Sequence, residues 1–358
     1  MRVLHVVGAR PNFMKLAPCV RALAALPGVT QRIVHTGQHY DDAMSDSFFR
    51  DLEIPPPDVN LEVGSASHAV QTARIMERFE PVVLAERPDW VVVYGDVNST
   101  AAAALVCAKL GIRLAHVEAG LRSNDRTMPE EINRLVTDRL ADLLLTPSPD
   151  ADENLQREGV DPARVVFVGN VMIDTLLHAL PAARATGFRE ALGLAPESYA
   201  LVTLHRPSNV DDPARLTRIC EALGHIARRM PVVFPIHPRT RSRLTEGDLA
   251  ALGAVKLLEP TPYHATLDLT QGARIVITDS GGLQEETTAL GVPCLTLRDN
   301  TERPITVTEG TNRLVLDLSE LERLALCAQR GSEARRPRGW DGRAGERVAL
   351  ALRDALDP

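Results

Sequence analysis

In the first half of the chain, short apolar runs at 3–7, 32–35, 90–94, 113–117, 143–146 and 165–168 alternate with longer segments at 13–26, 67–86, 99–110 and 130–141, whose apolar residues recur every three or four positions. The short runs predict buried strands and the longer periodicity predicts amphipathic helices. Parallel strands need a crossover between them, so this alternation predicts a parallel, doubly wound sheet. After 169–174 and a polar, Ala-rich helix the pattern restarts, with strands predicted at 200–204, 232–236, 255–257, 275–278 and 294–297 and helices at 213–229, 264–272 and 282–290. A loop-like stretch at 336–343 precedes a last helix at 344–356. The expectation is an α/β protein of two Rossmann-like, doubly wound domains facing a cleft: an N-terminal domain over 1–175, a C-terminal domain over 176–343, and a terminal helix over 344–358 packing back on the first. Ligands in such sheets bind at the carboxyl ends of the strands, where the strand order reverses. No internal repeat interrupts this pattern.

Composition narrows the chemistry. At 358 residues the chain exceeds what one core usually serves, which agrees with two domains. With 40 basic and 47 acidic residues the formal charge is −7, so no basic field is available for a nucleic acid and any phosphate recognition must be local. No stretch has the length of a signal-peptide core or a membrane span, so the expected compartment is the cytoplasm, with no membrane partner. Five scattered cysteines, Cys19, Cys107, Cys220, Cys294 and Cys327, read as reduced, buried packing thiols rather than a disulfide framework. The ten histidines lack metal-ligand spacing, so neither a metal nor another cofactor is expected.

Candidate chemistry lies where predicted strands end. The first strand runs into Gly-Ala-Arg-Pro-Asn-Phe-Met-Lys at 8–15, a small-residue turn with Pro11 suited to open a helix. Arg10 and Lys15 read there either as phosphate ligands or as surface charges at a helix start. The fingerprint Gly-x-Gly-x-x-Gly is absent, which argues against a dehydrogenase. A second strand-to-helix turn, Asp-Ser-Gly-Gly-Leu-Gln-Glu-Glu at 279–286, makes Ser280 the expected N-cap. Its N–H groups at Gly281 and Gly282 would meet a diphosphate with the helix dipole behind them, and Glu286 would take ribose hydroxyls; the alternative is an ordinary capped helix. Asp96 and Glu118 end strands and Glu130 opens a helix, each readable as a cleft acid, a helix cap or a solvated end. His205 and His237 close strands, as ligand-facing groups or structural hydrogen-bonders.

Taken together, Gly-Ala-Arg-Pro-x-x-x-Lys at 8–15, Gly-Asp at 95–96, His-Val-Glu-Ala-Gly-Leu-Arg at 116–122, Pro-Glu-Glu-x-Asn-Arg at 129–134, Gly-Asn at 169–170, His-Arg at 205–206, Asp-Ser-Gly-Gly-x-Gln-Glu-Glu at 279–286, Thr-Glu-Arg-Pro at 301–304 and Glu-Gly-Thr at 309–311 resemble, in order, the non-hydrolysing UDP-N-acetylglucosamine 2-epimerases. The resemblance implies a GT-B type fold and a cytoplasmic homodimer acting on a UDP-sugar in cell-surface polysaccharide biosynthesis. It implies interconversion of UDP-GlcNAc and UDP-ManNAc by anti elimination of UDP, a 2-acetamidoglucal intermediate and re-addition. On it, Arg10, His205 and the Ser280, Gly281 and Gly282 helix start hold the leaving diphosphate, Glu286 grips the ribose, and Asp96, Glu118 and Glu130 work on the sugar. Lys15, Arg134, His237, Glu302 and Arg303 are further contacts. Gln38, His39, Arg206 and His237 are candidates for a second, regulatory site, although Gly-Gln-His-Tyr at 37–40 departs from the Gln-His-Arg form of substrate-regulated members. The Gly-Ala-Arg-Pro-Asn-Phe variant also occurs in relatives acting on UDP-2,3-diacetamido uronic sugars. Other functions stay open as well: that uronate epimerisation, a GT-B glycosyltransferase using the helix-start diphosphate site, a hydrolysing epimerase and a nucleotide-sugar sensor.

Overall fold

The structure, a computed structural model, describes residues 1–38, 49, 51–331 and 336–356, with Arg10 described by its backbone alone. Strands form where the apolar runs lie. β1 (Arg2–Val7), β2 (Thr30–His35), β3 (Val59–Asn60), β4 (Trp90–Tyr94), β5 (Leu114–Val117), β6 (Leu143–Thr146) and β7 (Val165–Phe167) make one sheet in the order β3-β2-β1-β4-β5-β6-β7. β8 (Ala200–Thr203), β9 (Val232–Pro235), β10 (Lys256–Leu258), β11 (Ile275–Thr278), β12 (Cys294–Thr296) and β13 (Asn312–Leu314) make a second in the order β10-β9-β8-β11-β12-β13. Every pairing is parallel. β4 is buried along its whole length, as a strand covered on both faces must be. Each sheet reverses its strand order once, between β1 and β4 and between β8 and β11, so the chain is α/β with two Rossmann-like, doubly wound folds.

By its internal contacts the chain divides into one compact unit of Met1–His178 with Arg338–Pro358 and a second of Ala179–Pro337. In the first, Leu4, Val6, Val91 and Val93 pack on Ile75, Phe79 and Val83 of the His68–Glu86 helix. In the second, Val202, Val232, Phe234 and Ile277 pack on Ile219, Leu223 and Ile226 of the Pro213–Ala227 helix. The Ala344–Asp354 helix belongs to the first unit. There Trp90 Nε1 donates to the Leu352 carbonyl at 3.0 Å and the Gly345 N–H donates to Asp174 Oδ2 at 2.7 Å.

Three expectations need correction. β3 and β13 are absent from the pattern reading, because two- and three-residue edge strands bury too little to carry an apolar signature. The Pro129–Leu140 helix buries Glu131, Arg134, Thr137 and Asp138 and leaves Ile132 37% exposed, so its inward face is the charged one. Cys327 is exposed, whereas Cys19, Cys107, Cys220 and Cys294 are buried. Among the described residues no helix is long and apolar enough to cross a membrane.

Candidate active site

At the first switch point the turn after β1 is clasped by Asn12. Its side-chain oxygen accepts from the N–H groups of Gly8 and Ala9, both at 3.2 Å, and its Nδ2 donates to the Tyr94 carbonyl at 2.7 Å. The turn is thereby tied to the last residue of β4. Phe13 packs its ring 5.5 Å from His35 and 4.8 Å from Phe49. The Asn-Phe pair of this motif is thus committed to holding the backbone and filling the core. Arg10 opens the Arg10–Ala24 helix with Pro11 beside it, and the Arg10 side chain lies outside the described residues.

Lys15, one turn into that helix, is 3% exposed and donates to Glu118 Oε1 at 2.8 Å. The same ammonium lies against Gly95, where a Cβ would come within 2.5 Å of Nζ and where φ is +62°. Only glycine fits that position without displacing the lysine. Asp96 follows it. The Asn98–Leu110 helix is capped at Val97 rather than Asp96, which rules out the cap reading. Instead the Asp96 carboxylate, 24% exposed, is ion-paired to Arg134 Nη1, and its backbone carbonyl accepts from Asn133 Nδ2 at 2.9 Å. Glu118, just past β5, has φ +73°, a left-handed conformation rare for a side chain of its size. The N–H groups of Glu118 and Ala119 both reach the Leu145 carbonyl, at 3.0 and 3.2 Å, which holds the kink.

The charged face of the Pro129–Leu140 helix completes this side. Arg134 donates from Nε and Nη2 to Glu131 Oε2 at 2.9 and 2.6 Å. Burial would raise the Glu131 carboxyl, but the N–H groups of Ser123 and Asn124 and the Arg134 guanidinium outweigh it and hold it below the usual range. Glu130 is exposed in the first turn. It precedes Asn133 and Arg134 by three and four residues and therefore shares their helix face. Gln38 is a strut, its Oε1 accepting from the Ser99 hydroxyl at 2.7 Å and the Ser99 N–H at 3.3 Å. His39 lies outside the described residues.

At the second switch point Asp279 does what Asn12 does at the first. Fully buried, it accepts from the N–H groups of His205 and Arg206 at 3.1 and 2.9 Å and from Asn209 Nδ2 at 3.1 Å, with His205 Nδ1 at 3.2 Å. Burial alone would raise its carboxyl, but these donors keep it below its ordinary value. The His205 ring is 45% exposed and its centroid lies 5.7 Å from that of His237, which is also exposed and accepts at Nδ1 from the Arg239 N–H at 3.1 Å.

Ser280 takes the N-cap position of the Gly281–Leu290 helix, yet its hydroxyl makes no capping bond and no acid occupies the first turn. The helix start is thus left to its own N–H groups and dipole. A Cβ on Gly281 would lie 2.8 Å from both Arg303 Nη1 and Glu302 Oε1, so a guanidinium stands beside this turn. Arg303 also reaches Glu285 Oε2 at 3.0 Å. Glu302 receives Arg303 at 2.5 Å and Arg298 at 2.8 Å, with Arg206 Nη2 4.0 Å away. Its burial is outweighed by those arginines, which hold its carboxyl well below the usual range. Glu286 is pushed from 4.5 up to about 7, by burial first and then by the charge of Glu285, against a weak hydrogen bond from the Tyr263 hydroxyl at 3.4 Å.

The first unit therefore joins Asp96 to Arg134 and Glu118 to Lys15, and leaves Glu130 exposed on the helix that carries Arg134. The second groups His205 with His237 and sets Ser280, Gly281 and Gly282 beside Arg303. Sequence reasoning missed the work of Glu131, Asn133, Asp138, Asn209 and Asp279. Charged residues at 131, 134 and 138, spaced along one helix face, were the available signal for the first unit.

The family model for UDP-N-acetylglucosamine 2-epimerases matches residues 21–353. The UDP-N-acetylglucosamine 2-epimerase of Methanocaldococcus jannaschii is 42% identical over 98% of this chain and 99% of its own length. The UDP-2,3-diacetamido-2,3-dideoxy-D-glucuronate 2-epimerase of Pseudomonas aeruginosa is 45% identical over 88% of each. The crystal structure of the Methanocaldococcus jannaschii UDP-GlcNAc 2-epimerase in complex with UDP-GlcNAc and UDP superposes with a TM-score of 0.88 at 41% identity, covering 99% of this chain and 100% of that one. With the strand-end acids, the open helix start and near-complete coverage all in agreement, this chain belongs to the UDP-N-acetylglucosamine 2-epimerase family of isomerases.

Proposed function

We propose that the enzyme interconverts UDP-GlcNAc and UDP-ManNAc by inverting C2. C2 has no neighbouring carbonyl to acidify its proton. The anomeric C–O bond must therefore break ahead of proton loss, its electron pair leaving with the β-phosphate of UDP while cationic character develops at C1. A carboxylate then removes the C2 proton and the C–H pair becomes the C1–C2 double bond of 2-acetamidoglucal. Return of a proton to the opposite face of C2, with attack of UDP oxygen on C1, gives the epimer, and no atom is gained or lost. The groups of the second unit, His205 and the Ser280 to Gly282 helix start with Arg303 beside it, hold the departing diphosphate, and Glu286 accepts from the ribose. Arg10 adds positive charge to that diphosphate. Asp96, Glu118 and Glu130 stabilise the cationic ring and move its proton, with Lys15 and Arg134 positioning the first two. Gln38, His39, Arg206 and His237 serve a second, regulatory site. The same reading makes the enzyme a cytoplasmic homodimer supplying cell-surface polysaccharide synthesis.

The observation that carries this reading is the pairing at the first switch point, where two strand-end carboxylates, Asp96 and Glu118, each stand beside a buried cation. The 45% identity to the Pseudomonas aeruginosa enzyme favours a second reading, a UDP-2,3-diacetamido uronic sugar as substrate. The Asn12-Phe13 variant does not decide between them, because both residues serve the backbone and core. Incubation of each UDP-sugar with the enzyme in deuterated water, followed by NMR, separates them. UDP-ManNAc carrying deuterium at C2 supports the first. Turnover of the diacetamido uronate alone transfers the assignment to the second, and no deuterium in either removes both.

A further inference from the structure

A buried chain of charges lies behind the two acid-bearing turns. His116 on β5 is 0% exposed, with Nδ1 2.6 Å from Asp138 Oδ1 and Nε2 2.8 Å from the Gly95 carbonyl. Both ring nitrogens are thereby engaged, one by the Asp138 carboxylate and one by the Gly95 carbonyl. Asp138, 1% exposed on the Pro129–Leu140 helix, uses Oδ2 to accept from the Gly120 N–H at 3.0 Å and from Arg122 Nη1 at 2.7 Å. Arg122 in turn grips Glu158 with Nε and Nη2, at 2.7 and 2.8 Å. Burial would raise the Asp138 carboxyl, but His116 and Arg122 hold it below its ordinary value.

These contacts join three elements. One is the Gly95 carbonyl, next to Asp96; another is the Gly120 N–H, two residues beyond Glu118; the third is the helix that carries Glu130 and Arg134. A buried ion pair is often no more stabilising than apolar packing of equal volume, so its value here is geometric. Glu118, held at φ +73°, needs just such an over-determined surrounding. We propose that His116 and Asp138 are positioning residues that clamp the Gly95–Asp96 and Glu118–Gly120 turns to one helix and so set the separation of the two reacting carboxylates. This rests on the reading of Asp96 and Glu118 as groups acting on the sugar.

Variants cut the clamp one end at a time. His116→Asn keeps a donor near the Nδ1 position and loses the bond to Gly95, His116→Gln does the reverse, and Asp138→Asn sets an NH2 group against donors. In each, kcat should fall on the order of 100-fold, as for a misplacement of about 1 Å, while KM and the UDP affinity measured by calorimetry stay at wild-type values. A lower thermal midpoint with unchanged kcat per UDP-binding site would make the pair a stability element and overturn the proposal. Loss of UDP binding in all three variants would assign the pair to folding and overturn it equally. Asp96→Asn and Glu118→Gln belong in the same experiment: wild-type kcat in those two sinks the underlying reading. Their loss of kcat beside wild-type kcat in the His116 and Asp138 variants sinks the clamp alone.

Discussion

Glu286, in the second turn of the Gly281–Leu290 helix, carries a carboxyl raised to about 7, and with the ribose-binding role proposed for it this couples both affinity and stability to pH. Ribose hydroxyls donate best to the carboxylate. UDP should therefore bind more tightly as pH rises through about 7, and Glu286→Gln should flatten that dependence in calorimetric titrations. Stability runs the opposite way. A carboxyl raised in the folded state from 4.5 to about 7 favours folding fully below 4.5, and that contribution is lost as pH rises through about 7. At about 1.4 kcal/mol for each pH unit, wild type should lose on the order of 3 kcal/mol relative to Glu286→Gln across this window, measurable by urea denaturation at several pH values. At the sugar end, Asp96→Asn and Glu118→Gln should each lower kcat by on the order of 100-fold or more and leave UDP affinity intact, checked by initial rates beside calorimetry. The motif blocks made these residues legible. Which of two adjacent acids faces outward was not legible: Glu130 is exposed and Glu131 buried because Arg134 and the 123–124 turn reach only the latter.

Strands and helices were readable where burial imposes a period, and unreadable where it does not. β4 is a wholly apolar run because helices cover both of its faces, whereas β3, two residues at a sheet edge, carries no such record. The Pro129–Leu140 helix shows the limit of periodicity. Its Ile132, Leu135 and Val136 suggest an inward apolar face, but the ion pairs of Glu131, Arg134 and Asp138 turn the charged face toward the strand ends. Two glycines test packing between elements. A Cβ on Gly345 would lie 2.6 Å from the Pro18 carbonyl oxygen, a backbone atom that cannot step aside. Gly345→Ala should cost about 1–3 kcal/mol in urea denaturation, through overpacking of the terminal helix on the Arg10–Ala24 helix. At Gly281 the obstacles are instead two side-chain ends, Arg303 Nη1 and Glu302 Oε1, which can shift, so Gly281→Ala should weaken UDP binding with little loss of folding stability.

At the scale of the whole molecule, the chain repeats one architecture with two chemistries. Both sheets reverse order once, and in both a buried polar side chain, Asn12 or Asp279, ties the turn after the first strand to the strand or turn across that reversal. Around these clasps the first unit gathers carboxylates beside cations, while the second leaves a helix start uncapped beside an arginine. Elimination of a diphosphate asks for that division, with positive charge where UDP leaves and carboxylates where the ring turns cationic. Fold class was legible from strand-helix alternation alone, but the clasps were not, because a buried Asn or Asp looks like any turn residue until its partners are seen. The central claim, that UDP departs before C2 is inverted, is tested most directly by positional isotope exchange with heavy oxygen between C1 and the β-phosphorus of UDP-GlcNAc. The account predicts that the label moves into non-bridging phosphate positions as epimerisation proceeds; complete C2 inversion with the label still in the bridge would contradict it.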